Sequence, residues 1–105
     1  MDISHIPFTP TRHAGISIHY LHRDEASGNA TAWIKMDPGC GYPAHAHRGV
    51  EEVLVVQGGY RDELGAYHAG DYVRYEDGSR HHPVALDDGP SCVLFAMTAR
   101  GIERA

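Results

Sequence analysis

The chain has 105 residues, 42% of them hydrophobic and 22% charged, which suits one globular domain with its own core. Its formal net charge of −5 argues against nucleic acid as a partner, because a phosphate-binding face needs an excess of Lys and Arg. No apolar run, residues 53–56 included, is long enough to cross a membrane, and residues 1–10 lack a basic region followed by an apolar stretch, so the expected location is cytoplasmic.

An N-terminal arm of about fifteen residues precedes the first strand signal, residues 15–22 (GISIHYLH), rich in β-formers with partial alternation. Residues 30–37 (ATAWIKMD) follow and end at the turn signal Asp37-Pro38-Gly39. Residues 43–48 carry two histidines, and residues 51–57 (EEVLVVQ) are the strongest strand, closed by Gly58-Gly59. Residues 60–64 and 67–68 read as two arms around a turn at Gly65-Ala66, residues 71–75 as a further strand, and residues 91–98 (SCVLFAMT) as the last. No segment keeps a 3.6-residue apolar period, so the expected fold is all-β: one small antiparallel barrel or jelly roll with its body over about residues 15–98.

Nine histidines are the unusual count, and four residues stand out: His45-x-His47-x-x-x-Glu51 and, thirty residues later, His81. Three imidazoles and a carboxylate make a ligand set for one divalent transition metal with coordination positions left open. Strand parity puts His45 and His47 on one face. If Arg48-Gly49-Val50 is a tight connection, with Gly49 supplying any positive φ, Glu51 enters the next strand facing inward with Val53, Val55 and Gln57. By composition alone, Glu51 or Glu52, and His81 or His82, could be the ligands. Cys40 and Cys92 form no CxxC pair, and two cysteines do not make a disulfide framework. Cys92 reads as core, and Cys40, five residues before His45, as a buried loop thiol that could approach the site. His5, His13, His19, His22 and His68 read as solvated or packing residues, and Arg61, Asp62 and Glu63 as a solvated hairpin end. Tyr42, Tyr60, Tyr72 and Tyr75 read mostly as packing, though Tyr42, near the barrel mouth, could meet a substrate.

Gly39-x5-His45-x-His47-x3-Glu51-x6-Gly58 resembles the first cupin motif at every defined position, and its glycine spacing selects Glu51. Gly70-x5-Glu76-x-Gly78-x2-His81-x3-Ala85 resembles the second, matching both glycines and the histidine and selecting His81. It departs at Glu76, where the family has Pro and the turn entry should loosen, and at Ala85, where it has Asn. Residues 51–58, 61–74 and 78–83, with Cys92-Val93-Leu94, are similar to the cupins of ChrR-type anti-sigma factors. The resemblance implies a conical jelly roll holding one divalent metal (Fe, Zn, Mn, Ni or Cu) on His45, His47, Glu51 and His81 at the barrel mouth.

Three functions are compatible with such a site. The favoured one is a dioxygenase-type metalloenzyme acting on a chelating ketone or diketone, with Glu51 as proton acceptor if it can leave the metal. The alternatives are a metal-dependent sensor and a non-catalytic binder of a small ligand. ChrR-type proteins hold their sigma factor through an N-terminal zinc-binding domain with a His-x3-Cys-x2-Cys segment. Residues 1–15 contain no such segment, so a sigma factor is not an expected partner by that route. A small-molecule substrate or ligand and a second copy of the chain are the expected partners, the latter because Leu54 and Val56 should point outward.

Overall fold

A computed structural model describes residues 2–100 and 102–104. The described residues form twelve strands and no helix: β1 (Thr9–Pro10), β2 (Ile16–Arg23), β3 (Ala30–Met36), β4 (His45–His47), β5 (Glu51–Gln57), β6 (Gly59–Asp62), β7 (Gly65–His68), β8 (Tyr72–Tyr75), β9 (Arg80–His81), β10 (Val84–Ala85), β11 (Cys92–Thr98) and β12 (Ile102–Arg104). Among them no helix is long and apolar enough to cross a membrane.

All pairings are antiparallel. A six-stranded sheet runs β1-β2-β3-β11-β5-β8, and two three-stranded sheets run β10-β6-β7 and β12-β4-β9. One core joins the large sheet to the β10-β6-β7 sheet: Ile16, Met36, Val53, Val55, Leu94 and Ala96 from the former pack with Tyr60 and Ala85 from the latter. This is the expected jelly roll. The long strands β2, β3, β5 and β11 build the wall, because β-branched and aromatic residues fit a pleated, half-buried surface. Val53 and Val55 are 4% and 1% exposed whereas Leu54 is 40% exposed, so alternation along β5 follows the expected parity.

Two bulges break that parity. Opposite the Val93/Leu94 step of β11, Leu94 pairs with Val55 but Val93 pairs with Gln57, so Val56 is the extra residue. Gln57 therefore does not follow Val53 and Val55 inward; it donates to the Ser91 carbonyl at 3.1 Å and lines an outer groove with Lys35 and Phe8. In β2, Tyr20 pairs with Ala32 and His22 with Thr31, so Leu21 is extra and Arg23, opposite Ala30, returns to the inner face.

The glycines of the first motif work by close approach as well as by φ. Gly58 has φ +65°, and a Cβ there would stand 2.7 Å from the Ser91 carbonyl oxygen. Gly49 is not needed for a positive φ, contrary to expectation; a Cβ there would meet the Ala99 carbonyl oxygen at 2.9 Å. Trp33 stands edge-on to Phe95 across β3 and β11, while Met36 is buried in the core. Both cysteines are free. Burial pushes the Cys92 thiol up to about 12, and Cys40 packs beside Gly15 rather than in the cavity described below.

Candidate metal centre

His45, His47, Glu51 and His81 converge. One ligand atom from each lies within 4.8 Å of all the others, and the residues are 3%, 3%, 5% and 6% exposed. Strand pairing creates this cluster: β4 supplies two histidines, β9 lies beside it with His45 directly opposite His81, and Glu51 opens β5. The turn before β9 is tied to β4 as well. The His47 amide donates to the Ser79 carbonyl at 2.9 Å, and the Gly78 amide donates to the His47 carbonyl at 2.8 Å. Glu76 stands where the motif expects proline, yet the turn is closed, because the Ser79 amide and hydroxyl both donate to the Glu76 carbonyl.

The partners of the outer ring nitrogens assign the tautomers. His45 Nδ1–H donates to the Pro43 carbonyl at 2.9 Å. His47 Nδ1–H donates to the Ser79 carbonyl and hydroxyl oxygens at 3.2 and 3.1 Å. His81 Nδ1–H donates to Asp62 Oδ2 at 3.0 Å. Each Nε2 is therefore a bare lone pair. The Nε2 atoms of His45 and His81 nevertheless face each other at 3.0 Å, and His47 Nε2 stands 2.8 Å from Glu51 Oε1. Although that last contact has ion-pair length, its geometry is not a hydrogen bond, and His47 Nε2 is buried with no hydrogen-bond partner. Four acceptors aimed at one another with no proton between them repel unless a cation stands among them. Adjacent ligands bound at about 2.1 Å would be roughly 3 Å apart, which matches both spacings. The donor set thus fits a divalent transition metal and leaves its identity open.

Electrostatics favour the same state. Burial lowers His45 to about 4, although its bond to the Pro43 carbonyl pulls the other way. Burial also lowers His81, although Asp62 pulls the other way. Both are neutral near pH 7, the form that binds metal.

The surrounding network is richer than the sequence suggested. Asp62 is not a solvated hairpin residue: its side chain is 0% exposed. Burial alone would raise the Asp62 carboxyl, but bonds from His81, from the Tyr75 hydroxyl at 2.8 Å and from the Leu64 amide at 3.0 Å hold it below its usual value. The Tyr60 hydroxyl in turn donates to Tyr75 at 2.6 Å, and burial raises both phenols so that they stay protonated. Tyr75 also stacks on His47, with centroids 5.1 Å apart. Asp62 lies two residues after inward-facing Tyr60 on β6, so strand parity was the signal that identifies it. His82 is exposed, its amide donating to Glu63, and takes no part in the cluster.

A cavity of about 410 Å³ adjoins the cluster. Its walls are apolar, chiefly Ile16, Ile18, Ile34, Val53 and Leu94, and His45, Glu51 and His81 reach into it. Tyr42 lines it as expected, edge-on to His45 at 5.1 Å. His13, which reads as a solvated or packing residue, lines it too, 4.9 Å from Tyr42.

Fold and site together define an all-β jelly roll with a three-histidine, one-glutamate cluster at the edge of an apolar cavity. The model of the ChrR Cupin-like domain family matches residues 1–100, and the chain belongs to that family. It is 40% identical over 72 residues to the anti-sigma-E factor ChrR of Cereibacter sphaeroides, a match covering 68% of this chain and 33% of ChrR. The chain thus spans about a third of that relative's length. It also matches a chain in the solved complex of Rhodobacter sphaeroides SigE with the anti-sigma ChrR, with a TM-score of 0.79, 29% identity, and coverage of 92% of this chain and 50% of that one. The acetylacetone dioxygenase of Acinetobacter johnsonii shares the fold, with a TM-score of 0.79 and 19% identity over 94% of this chain and 72% of the other.

Proposed function

We propose that the chain is a mononuclear metalloprotein of dioxygenase type that takes a chelating ketone or diketone into its apolar cavity. The observation that carries this reading is the four converging lone-pair donors, one of them an orphaned buried nitrogen, beside a cavity of about 410 Å³. A site for metal storage or fold support needs no adjoining apolar chamber. When bound, the metal would supply Lewis acidity or redox chemistry to a chelated substrate. The protein's own residues exclude water with the isoleucine-lined wall, fix the three imidazoles through Pro43, Ser79 and Asp62, and offer Glu51 as a buried proton acceptor.

Oxygen uptake by the Fe(II)-loaded protein with a panel of diketones and hydroxyaryl ketones tests the reaction. Uptake that depends on both metal and diketone is expected; no uptake with any divalent metal would overturn the enzyme reading.

A second reading rests on the identity with ChrR, which exceeds that with the dioxygenase: a sensor whose metal site reports a small oxidant or metabolite. It predicts a ligand-dependent change in metal coordination, visible by X-ray absorption, without turnover. Under either reading a homodimer formed through the outer sheet face, where Leu54, Tyr72 and Met97 are exposed, is expected by light scattering.

A further inference from the structure

The cavity is not apolar all round. Arg12 and Arg23, both solvent-exposed, line its open side, and among the described residues neither has an acidic partner. Arg23 is there because of the bulge at Leu21. Without the extra residue, odd spacing from inward-facing Tyr20 would turn Arg23 to the outer face; with it, Arg23 stands opposite Ala30 on the cavity side. Its guanidinium lies 4.1 Å over the Tyr20 ring, which steadies the flat face and leaves the N–H edge free for a carboxylate.

The sheet register relates this cation to the metal cluster. Arg23 pairs with Ala30, Ala30 with Thr98, and Thr98 with Glu51, so one row of the inner face runs from guanidinium to ligand carboxylate over two small side chains. Three strand spacings separate its ends, roughly 14 Å between backbones. A third polar group lies in the same lining: His13 Nε2 is buried with no hydrogen-bond partner.

Resting on the chelation reading above, we infer that the molecule this cavity takes is an acid: chelating oxygens at the metal cluster, an apolar body along the isoleucine wall, and a carboxylate at the far end on Arg23, with Arg12 as a second cation. Both arginines are exposed, so water meets their N–H groups until a carboxylate replaces it; a neutral diketone would draw nothing from either charge. The bulge turns one planar two-pronged donor, Arg23, to the inner face, in addition to the guanidinium that Arg12 supplies from the segment before β2.

Calorimetric titration of the Zn(II)-loaded protein tests this without relying on turnover. The probes are acetylacetone, succinylacetone (a diketone with a terminal carboxylate) and the methyl ester of succinylacetone. The acid should bind about tenfold tighter than its ester, with the advantage shrinking as salt rises. Arg23→Ala should abolish the advantage, Arg12→Ala should reduce it, and Arg23→Lys should keep only part of it. Equal binding of acid and ester, or a preference that survives Arg23→Ala combined with Arg12→Ala, would overturn the inference. If acetylacetone itself fails to bind, the chelation reading falls, and the arginine site is decided separately with hexanoate against hexanamide on the metal-free protein. A preference for hexanoate lost in Arg23→Ala upholds the inference, and no preference overturns it.

Discussion

The six-stranded sheet and the small β12-β4-β9 sheet solve different problems in one fold. The large sheet holds itself together by long ladders and apolar burial: β3 and β11 pair over seven residues, and Met36, Val55 and Cys92 are each 1% exposed. The small sheet has strands of two or three residues and buries polar rings instead. Its order comes from side chains bonded to backbone carbonyls and to Asp62. One region is a scaffold whose energy lies in packing, and the other a preorganised cluster of lone-pair donors that, on the proposed reading, gains its full stability only with a cation.

Substitutions should separate the two. The largest effect is expected at the ligands: His47→Ala or His81→Ala should remove most bound metal by elemental analysis, whereas His82→Ala should leave it in place. Equal loss in all three would erase the distinction. Met36→Ala in the sheet should cost about 3 kcal/mol of stability by denaturant unfolding, through transfer loss and a cavity, while metal stoichiometry at low temperature is kept. If metal is lost first, the regions are not separable. Asp62→Asn should weaken metal affinity about tenfold by competition with a chelator, and should also lower the melting temperature of the metal-free protein, because its amide group would face one of the donors that both carboxylate oxygens now accept from.

A further effect is in pH. His45 is held neutral with its pKa lowered to about 4, against 6.5 in the unfolded chain. The unfolded state therefore binds the extra proton, and the stability this group contributes is full above pH 6.5 and is lost as pH falls toward 4. Thermal melts of the metal-free protein should show this slope, and His45→Ala should flatten it; an unchanged slope would place the pH response elsewhere.

The parts legible in the sequence are those with a period or a spacing. β2, β3, β5 and β11 carry enough alternation or β-branched content to be read directly. The four residues that cluster, His45, His47, Glu51 and His81, follow from two spaced motifs. The short strands β1, β9, β10 and β12 hold no period to read. Asp62 is masked by its charged neighbours Arg61 and Glu63, although Tyr60 two residues earlier marks its face. The bulges at Leu21 and Val56 are invisible for another reason: each is a mismatch between two strands distant in sequence, and neither strand encodes it alone. Gln57 and Arg23 swap faces on that account.

The direct pairing of His45 with His81 joins positions 36 residues apart. An ion held there acts as a reversible cross-link, closing a loop that the unfolded chain would otherwise be free to open. Unfolding must then either release the ion or forgo that freedom, so the lifetime of the folded chain becomes a function of free metal concentration. If the cluster holds a metal as proposed, a shortage of that metal would expose the chain to proteolysis.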